Sequence, residues 1–161
     1  MKTLIVGVGS GIRGDDGIGP EVASRLVPEL RGENSATSFD GTGLDLLSYF
    51  VDSSAFDRVV VIDSLDTNAL EEGVVARVAP RPGAGGDPSY ASSHHVGILE
   101  AFALARRFGV RVPPDLRLYA IGILRREGFR EGLSEPLARR VPAIVREIRD
   151  DLEDVSRGAP P

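Results

Sequence analysis

The chain contains no cysteine and no tryptophan, a single methionine and only two histidines. Without cysteine there is no disulfide, no thiolate zinc site, no iron–sulfur ligation and no cysteine nucleophile. Metal or acid–base chemistry therefore falls to Asp and Glu, with His94 or His95 as the imidazole source. Basic residues are also in the minority, 19 Lys and Arg against 24 Asp and Glu, for a formal net charge of −5. With that balance and no stripe of Lys and Arg, binding nucleic acid by neutralising phosphates is excluded. Long hydrophobic runs are absent as well, which excludes a bilayer-spanning helix. The opening Met1-Lys2-Thr3-Leu4-Ile5-Val6-Gly7 lacks the apolar stretch and small-residue cleavage site of a secretory signal, so the expected compartment is the cytoplasm.

What is present suffices for one core: 161 residues, 42% of them hydrophobic, make a single domain the expectation, over residues 1–154 with a flexible tail at 155–161. Leu4-Ile5-Val6 and Val59-Val60-Val61-Ile62 are consecutive, largely β-branched apolar runs, the pattern of strands buried on both faces of a parallel sheet. A first helix is expected over residues 20–30, with Pro20 near its first turn, and a weak strand over 36–39 ending in Asp40-Gly41. Leu44, Leu47 and Phe50 mark a short second helix. Residues 74–78 alternate as an edge strand stopped by Pro80 and Pro82. Residues 80–93, rich in Gly, Pro and Ser, form a long loop of the kind that serves function. A helix containing Val96, Leu99, Phe102, Ala103 and Phe108 is closed by Gly109. A last strand holds Leu116, Leu118, Ala120 and Ile121, and a C-terminal helix runs from Leu137 to Leu152 with Ser134 as N-cap. Pro142 inside that pattern predicts a kink or a late start. The order predicts an α/β fold in three layers, with a site at the carboxyl ends of the strands.

The first strand–helix junction, from Gly7 through Gly9-Ser10-Gly11-Ile12-Arg13-Gly14-Asp15-Asp16-Gly17 to Gly19, invites a dinucleotide reading, but the spacing fails because Ile12 stands where the fingerprint needs glycine. Two carboxylates ahead of the helix would also repel a pyrophosphate. Asp15 and Asp16 equally suit the positive end of the helix. Asp63 ends the most apolar strand, where it either faces the carboxyl edge or caps the next turn. His94 and His95 are adjacent and point in different directions, so at most one reaches a shared site. Asp16, Asp63 and His94 all fall on one edge of the sheet, and two carboxylates with one imidazole suit a divalent transition metal with open positions.

These residues also carry a family resemblance. The block Leu4-Ile5-Val6-Gly7-Val8-Gly9-Ser10-Gly11-Ile12-Arg13-Gly14-Asp15-Asp16-Gly17-Ile18-Gly19 resembles the opening of the nickel–iron hydrogenase maturation endopeptidases. Asp40-Gly41-Thr42-Gly43, Val60-Val61-Ile62-Asp63, His94 with Gly97, Gly122-Ile123 and Gly132-Leu133-Ser134 follow in the same order. The resemblance implies a three-layer α/β/α fold with a five-stranded, mostly parallel sheet and one antiparallel edge strand. It implies removal of a C-terminal extension from the precursor of a hydrogenase large subunit after nickel insertion. Asp16, Asp63 and His94 are the metal-contacting positions it carries over, and Asp40 falls on an acidic position implicated in catalysis. Nickel would be supplied by the substrate, and no organic cofactor is implied. Ser10 stands where Asn is common and Asp16 where some members have Glu. Leu124-Arg125 replace an acidic or amide residue and Pro, a change expected to affect partner choice. The competing readings are a metallohydrolase with its own divalent ion, a relative such as a spore-protein-type protease, and a non-enzymatic nucleotide- or metal-binding module.

Overall fold

A computed structural model describes residues 1–40, 56–66, 70–78, 105–109, 112–124 and 130–154. Its elements in chain order are β1 (Lys2–Val8), α1 (Ile18–Leu26), β2 (Glu33–Phe39), β3 (Arg58–Asp66), β4 (Val75–Val78), β5 (Asp115–Ile123) and α2 (Glu135–Glu153). The strands form one five-stranded sheet in the order β2-β1-β3-β5-β4. β4 alone is antiparallel, against β5, and the pairings of β1 with β2, β1 with β3 and β3 with β5 are parallel.

Alternation along the buried strands divides the core in two. Ile5, Val60, Ile62, Tyr119, Ile121 and Ile123 face α1 and α2, whereas Leu4, Val6, Val8, Val59, Val61 and Leu118 form a second cluster on the opposite face. α2 contributes Leu137, Val141, Ile144, Val145, Ile148 and Leu152, all buried at helical spacing. Full burial of each such side chain is worth roughly 1.5–3 kcal/mol, so this stripe holds α2 to the sheet. The helices expected around Leu44–Phe50 and Val96–Phe108 lie outside the described residues, apart from a helical turn at 105–107. That turn ends as expected at Gly109, whose φ is +68°. The loop at 80–93 and the tail at 155–161 also lie outside the described residues.

Three expectations need correction. The helix placed at 20–30 stops at Leu26 and passes into a 3-10 turn, Val27–Glu29, because Pro28 has no N–H to continue the α-helical ladder. α2 does not start late: it begins at Glu135 and runs through Pro142 to Glu153. The carbonyl deprived of its amide partner belongs to Ala138, an exposed residue that solvent can serve. Asp63 does not end its strand either. β3 continues to Asp66, because β5 keeps pairing with it up to Asp66↔Ile123 after β1 has stopped at Gly7↔Ile62.

Candidate active site

The strand order places the site. From β1 the chain crosses to β2 on one side, and from β3 it goes to β5 on the other, so a crevice opens outside the carboxyl ends of β1 and β3. Asp63 is the first residue of β3 beyond the reach of β1, and it is fully buried. Burial pushes its carboxyl up to about 8; the N–H of Ser64, donated to Asp63 Oδ1 at 2.7 Å, opposes that, and the nearby charge of Asp16 adds to it.

Asp16 comes to the same place from the loop after β1. Its Oδ2 accepts the N–H of Ser10 at 2.9 Å and its Oδ1 accepts the Ser64 hydroxyl at 3.0 Å. Two glycines allow that approach. Gly9 has φ +125° and a Cβ there would lie 2.0 Å from the Asp16 carbonyl oxygen; a Cβ on Gly19 would lie 2.3 Å from the Val8 oxygen and 2.5 Å from that of Ile62. The glycines thus let α1 start against the strand ends. The Ser10 N–H that a phosphate would seek already holds a carboxylate, which argues against the dinucleotide reading.

Asp15 does different work. Its Oδ1 accepts the N–H of Ser134, the N-cap of α2, at 2.6 Å. Gly132 N–H donates to Gly11 O at 3.2 Å, and Arg13 and Arg130 form a parallel bridge. The segment leading into α2 therefore buttresses the loop that carries Asp16. Asp40 stands on the rim after β2, its side chain half-exposed and 4.0 Å from Arg13 Nη1.

Of the four residues singled out from the sequence, Asp16 and Asp63 are brought together. Asp40 is on the neighbouring rim, and His94 lies outside the described residues. Among the described residues no group of three His, Cys, Asp or Glu gathers to hold a metal ion. Two partners went unread in the sequence: Ser64, which hydrogen-bonds both carboxylates, and Asp15 as the anchor of α2. The signal for Ser64 was two successive polar residues in an otherwise apolar strand. A cavity of about 490 Å³ lies along the C-terminal half of α2, lined by Val75, Arg77, Tyr119 and Asp151 among others, and includes neither Asp16 nor Asp63.

The chain matches no protein-family model and no curated protein sequence. Solved structures do resemble it. The hydrogenase maturating endopeptidase HybD from E. coli superposes with a TM-score of 0.67 at 18% identity, over 96% of this chain and 94% of that one. The [NiFe] hydrogenase maturation protease HycI from Thermococcus kodakarensis KOD1 gives 0.66 at 22%, over 95% and 93%. HybD from Thermococcus kodakarensis gives 0.61 at 23%, over 94% and 99%. The proteins whose motifs the sequence resembles are thus also those whose architecture it shares: the chain has the fold of the hydrogenase maturation endopeptidases.

Proposed function

We propose that this protein is an endopeptidase that removes the C-terminal extension of a nickel–iron hydrogenase large-subunit precursor once nickel has been inserted. The observation that carries the reading is the pair Asp16 and Asp63, joined through Ser64 at the switch point of that fold. A buried carboxyl whose affinity for its proton is raised beside a second carboxylate is a place where a divalent cation relieves an electrostatic cost. Asp16, Asp63 and His94 are assigned to the nickel that the precursor brings, which makes nickel part of the substrate. Asp40 is assigned as base toward the attacking water, whose oxygen bonds the scissile carbonyl carbon as the C–N bond breaks and the amine takes up a proton. The protease is of the aspartic, metal-dependent kind, uses no organic cofactor and acts in the cytoplasm. Among the described residues no helix is long and apolar enough to cross a membrane.

The test is to mix the protein with nickel-loaded and nickel-free precursor and weigh the products. A mass loss confined to the nickel-loaded sample supports the reading; cleavage of both, or of neither, removes it. An Asp63→Ala variant that still cuts the loaded precursor at the wild-type rate sinks the assignment of the metal contacts.

A further inference from the structure

We infer that Ser64 is a positioning residue that sets Asp16 against Asp63 for the cation the substrate carries; the inference rests on the function proposed above. Ser64 is the described residue that hydrogen-bonds both acids, one through its side chain and the other through its backbone. Its hydroxyl donates to Asp16 Oδ1 at 3.0 Å and its N–H donates to Asp63 Oδ1 at 2.7 Å. With Ser10 N–H on Asp16 Oδ2 at 2.9 Å, both oxygens of Asp16 are held and its carboxylate plane is fixed.

The strand explains why one residue can do this. Ser64 shares the parity of Val60 and Ile62, which face α1, and Asp63 that of Val59 and Val61, which face the other side. Asp16 arrives just ahead of α1, on the Ser64 side. The hydroxyl therefore couples two acids that the pleat would otherwise leave on separate faces. Ser64 is only 6% exposed, so bulk water is a poor substitute for its hydroxyl. Partners that orient metal-contacting carboxylates typically change affinity by about 10–100-fold when removed.

The test compares wild type, Ser64→Ala and Ser64→Thr. Threonine keeps the hydroxyl and suits a strand. With nickel-loaded precursor, S64A is expected to raise KM by about 10-fold or more while kcat changes less, and S64T to restore KM. Independently, Ni2+ alone is titrated to millimolar concentration and followed by amide NMR: S64A is expected to bind it about 10-fold more weakly than wild type, and S64T close to wild type. Amide spectra before Ni2+ addition establish that each variant is folded. Equal Ni2+ affinity in wild type and S64A, S64T failing as S64A does, or a wild type that does not respond to Ni2+ overturns the role of Ser64. Absence of precursor cleavage by wild type overturns the proposed function instead, and the Ni2+ series then decides Ser64 by itself.

Discussion

The two ends of the parallel strands treat carboxylates in opposite ways. At the amino ends, Arg58 Nε lies 2.6 Å and Arg117 Nε 3.2 Å from the carboxylate of Asp115. The same guanidiniums donate to the carbonyls of Leu152 and Asp151 at 3.1 and 3.0 Å. α2 has no basic residue in its last turn, so the cations that suit its negative end come from β3 and β5. Burial alone would raise the Asp115 carboxyl, yet the two guanidiniums hold it below the ordinary value. At the carboxyl ends the sign reverses: burial and the charge of Asp16 outweigh the Ser64 N–H and carry Asp63 up to about 8. One end spends its ionic groups on stability, and the other gives up stability to keep acids where a cation can find them.

Variants at each end sharpen or break that contrast. The largest effect is expected from Asp63→Asn, which should lower the rate of cleavage of nickel-loaded precursor by more than about 100-fold, above the range of supporting residues; activity near wild type would remove the carboxyl end from the chemistry. Arg58→Ala should cost about 2 kcal/mol of stability in urea unfolding, because it strands a largely buried ionic network, while leaving cleavage unchanged. A joint loss of stability and cleavage would show that the two ends are not independent.

Asp63→Asn also has a stability consequence with a definite sign. The folded state binds more protons than the unfolded one between the ordinary 3.8 and about 8, so Asp63 lowers stability as pH rises through that window. The variant should lose this slope and exceed wild type by about 2 kcal/mol at the alkaline end of that window, measured by urea unfolding at several pH values. A parallel pH dependence in the two proteins would contradict the buried acid. The smallest effect belongs to Asp115→Asn. A carboxyl held below its ordinary value adds stability above that value and loses it as pH falls through the folded one, so this variant should be weaker near neutrality by under about 1 kcal/mol and converge with wild type in acid.

The apolar runs at Leu4-Ile5-Val6 and Val59-Val60-Val61-Ile62 were legible because strands covered on both faces have few polar residues to confuse the pattern. The α2 stripe from Leu137 to Leu152 was legible because helical burial repeats at fixed spacing. Ends were harder. Proline removes a donor wherever it sits, but the effect depends on the carbonyl it orphans: Pro28 diverts α1 into a 3-10 turn, whereas Pro142, above exposed Ala138, leaves α2 running. The extent of β3 was hidden because Asp63, Ser64 and Asp66 look like turn residues until β5 is alongside to pair with them.

By itself the sequence determined that any acid–base or metal chemistry must use carboxylates and at most one of two neighbouring histidines, since nothing else is there to do it. It also determined which strands are buried, and it put Asp16 and Asp63 at strand ends. Only the tertiary structure decided that β1 and β3 are neighbours, that the crevice opens between them, and that Asp15 turns to α2 while Asp16 turns to Ser64. The reason is physical. Composition and periodicity act along the chain, whereas the hydrogen bonds that separate a supporting carboxylate from a site carboxylate join residues 48 and 119 positions apart.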